Sequence, residues 1–417
     1  MSTETIKEVR ESWKTPVVMG TLASVVLVFF GILGKPETVS FELTGVREAI
    51  QLPNIDVASN FLGTAAGVLL LAIAGFVAWR VSKNVRSSIW FSLAFGGIAL
   101  VALLGWLAGG AVVPVAFILG SALVLAVPIM LGAMAGVMSE RVGVVNIAIE
   151  GQLLTGAFMA AVVSTLTGNQ ILGIISAMIT AAAFSAVLAV FAVRYLAQQI
   201  IVGVVLNVLA IGITNFLYQQ WVTEDESATN SPGTLPIIHI PFLGDIPVIG
   251  PVLFQNRITV WLAIAIVIIL WFVLFKTKLG LRARAVGENP LAADTVGINV
   301  GRTRFWWVTL GGLLAGLGGA VLTIGSSGSF GREMSGGLGF IALAVVILGR
   351  WHPGYATAAA LLFGFSIILR VWANQVSPGI PTNFITMVPY IVTIIAVVGF
   401  VGRSRPPAAD GIPYVKG

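Results

Sequence analysis

The chain has no cysteine, which removes disulfides, thiol chemistry and a lipidated cysteine anchor from consideration. Its two histidines, His239 and His352, stand far apart with no ligand spacing around either, so a metal site has little support. An intramembrane enzyme would need a nucleophile beside a base, and neither histidine keeps such company. No G-x-x-x-x-G-K-[ST] run occurs, since the pair Gly34-Lys35 lacks the rest of a phosphate-binding loop. If ATP drives this protein, the energy enters through another polypeptide. Charge is scarce as well, at 10% of residues.

What is there instead is apolar surface: 57% hydrophobic residues and a mean hydropathy of +0.99 exceed what a soluble globule can hide. The sequence therefore reads as an all-α polytopic membrane protein of about 11–12 hydrophobic segments. The 48 glycines suit transmembrane helices that approach one another closely. A pI near 9.8 would suggest nucleic acid in a soluble protein, but here the basic residues flank apolar runs and read as topology signals, so nucleic-acid binding is not expected.

In chain order, Lys7, Arg10 and Lys14 precede the first run and put the N-terminus in the cytoplasm. Residues 16–34 can span, and no small-residue cleavage site follows them, so an uncleaved anchor is expected. Residues 60–79 and 88–107 complete three spans with almost no polar residue at mid-membrane. They form an expected N-terminal extension, residues 1–110, ahead of a core at 111–402 and a cytoplasmic tail at 403–417. Further spans are expected at 171–193, 258–275, 305–324, 355–372 and 384–401, with 340–348 too short to span alone. Both termini then lie in the cytoplasm.

The core carries the polar residues. Asn146 and Glu150 lie four apart and would share one helical face, while Gly143, Gly151 and Gly156 punctuate their segment. A second glycine-broken segment near 325–340 makes a pair of half-helix regions, a pattern that points to a transporter's midplane. Glu150 and Asn146 can line a solute route or brace broken backbone without touching solute. Asn207 and Thr214, seven apart, and Asn215 interrupt the run 199–221. Amides and hydroxyls suit a neutral, hydroxyl-rich solute, and are also ordinary interhelical glue.

Residues 276–304 form a polar island with Lys276, Lys278, Arg282, Arg284, Arg302 and Arg304 crowding its two ends, a cytoplasmic loop by the positive-inside rule. Within it Asn289 is a predicted N-cap, Pro290 a first helical residue and Gly297 a C-terminal stop around a short helix 291–296. That helix is either a plain connector or an element a soluble partner grips.

The phrases ERVGVVNIAIEGQLLTGAF, QQIIVGVVLNVLAIGITNFL, GLRARAVGENPLAADTVGI and GLGFIALAVVILGRWHPGYATAAALLFG resemble the membrane subunits of bacterial ATP-binding cassette importers, above all the nucleoside and simple-sugar permeases related to ribose and branched-chain amino-acid permeases. The resemblance covers residues 111–401 and implies import of a nucleoside, or of a simple sugar or branched-chain amino acid. It implies a second homologous permease, a separate ATPase that holds ATP and Mg, and an extracellular binding protein. It makes the short helix a coupling helix, with Arg284, Glu288, Asn289, Pro290, Ala292, Asp294 and Gly297 as coupling residues. A proton-coupled transporter using Glu150 and a purely structural membrane subunit are the rivals from other classes.

Overall fold

The computed structural model describes residues 12–45, 48, 50–85, 87–223, 225–376, 387 and 405–416. The chain divides into two compact units, one of Met1–Ile118 with Asp245–Val248 and Leu369–Gly402, the other of Leu119–Gly244 with Ile249–Ile368 and Arg403–Gly417.

In the first unit α1 (Lys14–Val25) runs on through a π-helical stretch to Ile32, and α2 (Ser59–Ser82) and α3 (Ile89–Ala108) follow. Leu70, Ala74 and Val77 of α2 are buried against Met19, Ala23 and Val26, with Phe95 and Ala102 from α3. Leu69 and Val68 on the opposite side are exposed, as lipid-facing residues of a spanning helix are. Between α1 and α2, β1 (Thr38–Glu42) pairs antiparallel with β2 (Ile55–Ala58) and parallel with β3 (Val112–Pro114).

The second unit holds the rest: α4 (Val115–Glu140, begun in the first unit), α5 (Ile149–Thr167), α6 (Gln170–Val193), α7 (Gln199–Leu217), the one-turn α8 (Glu226–Thr229), strands β4 (Ile237–His239) and β5 (Gln255–Arg257), α9 (Ile258–Lys276), α10 (Lys278–Glu288), α11 (Pro290–Thr295), α12 (Val300–Leu322), α13 (Leu338–Leu348) and α14 (Pro353–Val376, completed in the first unit). Pro128 sits inside α4 without ending it, as neighbouring helices in a membrane allow. Small residues set the spacing at the centre. A Cβ added to Gly316 of α12 would lie 2.3 Å from the Ala177 carbonyl oxygen of α6, and Ser185 donates to the Val308 carbonyl across the same pair at 2.6 Å.

Among the described residues ten helices are long and apolar enough to cross a membrane, and Leu338–Leu348 is an eleventh apolar helix of shorter length. The expected span at 384–401 lies outside the described residues.

Three expectations change. The break at 143–156 is narrower than its glycines suggest: Gly143 adopts φ +84°, residues 144–146 are non-helical, and α5 then contains both Gly151 and Gly156. Those two glycines serve close packing, against Ala210 and Gly316 respectively. Asn146 consequently precedes α5, so it does not share a helical face with Glu150. Lastly, the polar island holds two helices, α10 and α11, where one was expected. The second break is found as expected, with a π-helical stretch at Thr323–Ser327, Gly328 at φ +79° and Gly337 at φ +86° before α13.

Candidate functional site

A buried polar cluster organises the non-helical segment ahead of α5. Asn146, fully buried, exchanges two hydrogen bonds with Gln152, each at 3.3 Å, and its amide nitrogen also lies 3.5 Å from Ser139 Oγ. Asn207 of α7 accepts from the Gly151 N–H at 2.8 Å and donates to the Ile147 carbonyl at 2.9 Å. Gln199 accepts from the Val145 N–H at 2.7 Å. Backbone freed from a helix inside a membrane must find partners in the protein, and Asn207 and Gln199 supply them, while Asn146 ties the segment to the Gln152 side chain. Glu150 serves the second break in the same way: its two carboxylate oxygens accept from the Gly337 and Gly339 N–H groups at 2.8 and 2.6 Å. A carboxylate there meets the unpaired N–H groups and the positive end of the dipole of α13.

The five candidate pathway residues thus separate. Asn146, Glu150 and Asn207 converge on the two breaks, and Thr214 is buried but spends its hydroxyl on the Ala210 carbonyl of its own helix at 2.7 Å. Asn215 stands apart, half-buried, donating to Glu333 at 3.4 Å with its own carbonyl oxygen unpartnered. Around it lie Tyr218, with the Arg332 guanidinium 5.1 Å over its ring, and Phe330, whose ring packs edge-on against Phe158 at 5.2 Å.

The loop between α9 and α12 is built by caps. Thr277 caps α10, accepting from the Gly280 N–H at 3.2 Å, and Asn289 ends α10 and starts α11, accepting from the Ala292 N–H at 3.0 Å. Pro290 occupies the first turn, and Gly297, at φ +81°, closes the helix with its N–H on the Asp294 carbonyl at 2.9 Å. Ala293 is buried beneath α11 while Leu291 (63% exposed) and Val296 (74% exposed) project from it with the exposed Ala292. Of the other coupling candidates, Arg284 turns inward to stack 5.2 Å over Phe275, Glu288 accepts from the Ala408 N–H at 3.3 Å, and Asp294 lies near the Tyr414 hydroxyl.

The C-terminal residues bind back onto this loop. The Ala409 N–H donates to the Gly287 carbonyl at 2.8 Å. Arg304, 2% exposed, donates from Nη1 to the Ile412 carbonyl at 2.9 Å and from Nε to the Val142 carbonyl at 3.0 Å. Read from sequence as a flanking charge, Arg304 is instead an internal tie. Gly287 lies against the same turn, since an added Cβ would sit 2.2 Å from the Arg141 carbonyl oxygen. The loop therefore contacts, through backbone, the turn that opens the non-helical segment held by Asn146 and Asn207.

Several members of the site were not singled out as such. Gln152 and Gln199 are polar residues in apolar runs, a signal that was available. Glu140, whose carboxylate accepts from the Trp351 indole N–H, and Glu333 have no local signal, because their partners are far away in sequence.

A family profile described as branched-chain amino acid transport system / permease component matches residues 118–397. The chain is 42% identical over 309 residues to the guanosine ABC transporter permease protein NupQ of Bacillus subtilis, covering 72% of this chain and 97% of that one. It is 36% identical over 256 residues to the putative glucose ABC transporter permease protein TsgC13 of Haloferax volcanii, covering 61% and 77%. With a second guanosine ABC transporter permease protein of Bacillus subtilis, NupP, identity is 27% over 345 residues, covering 80% and 89%. No solved structure matches.

Proposed function

The chain belongs to the branched-chain amino acid transport system permease family, and from that premise we propose that it is the permease subunit of an ATP-driven importer of nucleosides. It is a multi-pass membrane protein, and its place is the bacterial plasma membrane. NupQ, whose whole length is nearly covered at 42% identity, supports a nucleoside as solute over the glucose that TsgC13's name carries. Two guanosine permeases of one organism, NupQ and NupP, resemble this chain unequally, which supports pairing with a second, homologous permease. ATP hydrolysis, with its Mg, then belongs to a separate ATPase, and an extracellular binding protein delivers the small polar solute. Residues 1–110 act as an extension to the permease core at 111–402, ahead of the family match, and residues 403–417 as a cytoplasmic tail.

The observation that carries the mechanism is the backbone contact of Gly287 with Arg141. A displacement of α10 and α11 by the ATPase is passed through that contact, and through Arg304, to the segment before α5, with no flexible linker between. Asn146, Gln152, Asn207 and Glu150 keep the two broken segments registered as they move, while Asn215, with Tyr218 and Phe330 beside it, faces the solute. Alternating access follows when ATP binding and release bias two arrangements of these elements.

The test is co-purification in mild detergent of the full chain and of a Leu291→Glu/Val296→Glu variant. Wild type is expected to bring down an ATPase and a second permease, and the variant to keep the permease and lose the ATPase. Labelled guanosine uptake competed by nucleosides but by neither glucose nor leucine fixes the solute. A wild-type chain that purifies alone overturns the importer reading and directs attention to Glu150 as a proton-coupling group.

A further inference from the structure

Two cavities in the second unit share part of their wall beside α10 and α12. The larger, about 940 Å³, is lined by Lys278, Arg282 and Arg302, all exposed, and no carboxylate lines it. The smaller, about 410 Å³, is a slot between α4, α9 and α12 lined wholly by apolar and tryptophan side chains, among them Met138, Ile266, Leu270 and Leu314. Leu279, Trp306 and Trp307 line both. A cationic basin thus adjoins an apolar slot across a shared wall of Leu279, Trp306 and Trp307, near the end of the α9 span at Lys276.

We propose that the two cavities together bind one anionic phospholipid, its phosphate among Lys278, Arg282 and Arg302 and an acyl chain in the slot. The charge distribution selects this occupant. Three cations without a carboxylate favour an anionic headgroup, and tryptophans at the seam suit the boundary between headgroup and chain. A soluble phosphate compound would leave the adjoining slot unfilled. A helix of a partner permease would fill the slot but bring no charge to the basin. A docked ATPase would cover the exposed Leu291 of α11, which lies outside both cavities. The basin also includes Val296 to Asn299 by its rim at Gly297 and Ile298, so bound lipid would hold the start of α12 and α10 together.

The experiment is native mass spectrometry of the full chain in detergent with phosphatidylglycerol, phosphatidylcholine or glycerol phosphate. Wild type should retain one phosphatidylglycerol in preference to phosphatidylcholine, and glycerol phosphate should not displace it. Lys278→Gln/Arg282→Gln/Arg302→Gln should lower apparent phosphatidylglycerol affinity roughly a hundredfold and leave phosphatidylcholine binding unchanged. Leu310→Trp, which narrows the slot from an exposed position, should weaken both lipids. Equal retention of phosphatidylglycerol by wild type and the triple variant overturns the proposal, as does displacement by glycerol phosphate. A triple variant that keeps the lipid but loses a co-purifying ATPase assigns the cations to protein docking and overturns it too.

Discussion

Asn207 spends both ends of its amide on backbone that no helix can satisfy, the Gly151 N–H and the Ile147 carbonyl. Asn207→Ala strands two polar groups, each at about 1–3 kcal/mol, so a clear fall in melting temperature is expected in detergent. Thr214→Val removes only a bond within one helix turn and keeps the side-chain volume, so its melting temperature should stay near wild type. Similar melting temperatures for the two variants would contradict the bracing role. Asp410 gives the second residue-scale expectation. Burial pushes its carboxyl up to about 7, against the opposing pull of Arg304 and of the Gly411 N–H, and Glu140 and Tyr414 share the neighbourhood. Because the folded value lies above the ordinary 3.8, the docked tail holds a proton that a released tail gives up. Docking is therefore strongest in acid, and its advantage is lost as pH rises toward and through 7. Exchange of the Ala409 amide, corrected for its intrinsic rate, should show protection falling as pH rises from the ordinary 3.8 to about 7 and levelling off above that, and Asp410→Asn should flatten the profile.

At the scale of an element, α11 is too short to hold itself together and depends on its ends. Asn289→Ala should cost about 1 kcal/mol through the lost cap. Gly297→Val forces a β-branched residue to φ +81°, a left-handed conformation costing about 1–2 kcal/mol. Either change should speed hydrogen exchange across residues 290–296 while the spanning helices keep their protection; unchanged exchange would mean that packing, and not the caps, holds the helix. The caps were legible because their residue types act locally. Helix α10 was not, for a physical reason: its buried face is Gly280, Ala283, Val286 and Gly287, and small residues leave almost no hydrophobic periodicity to read. The glycines within α5 mislead in the opposite direction, since close packing and helix breaking call for the same residue.

At the scale of the whole molecule, the energy source separates the reading from its rival. With Glu150 accepting two backbone N–H bonds, its carboxylate is occupied in holding α13. In cells expressing the assembled system, guanosine uptake should survive collapse of the proton gradient and stop when ATP is depleted. Uptake that follows the gradient would return the role to Glu150.

The sequence by itself determined the class of protein, the placement of nearly every described span and the caps of α11, because lipid enforces long apolar runs and caps are made by neighbours in the chain. Tertiary structure alone decided what the polar residues do. The Glu150 contacts reach across 187 and 189 positions, and the Arg304 contacts across 162 and 108. No local pattern encodes which distant backbone group a buried carboxylate or guanidinium will meet. That choice falls to the packing of glycine-lined helices, which brings the two broken segments, the loop and the tail within hydrogen-bonding reach.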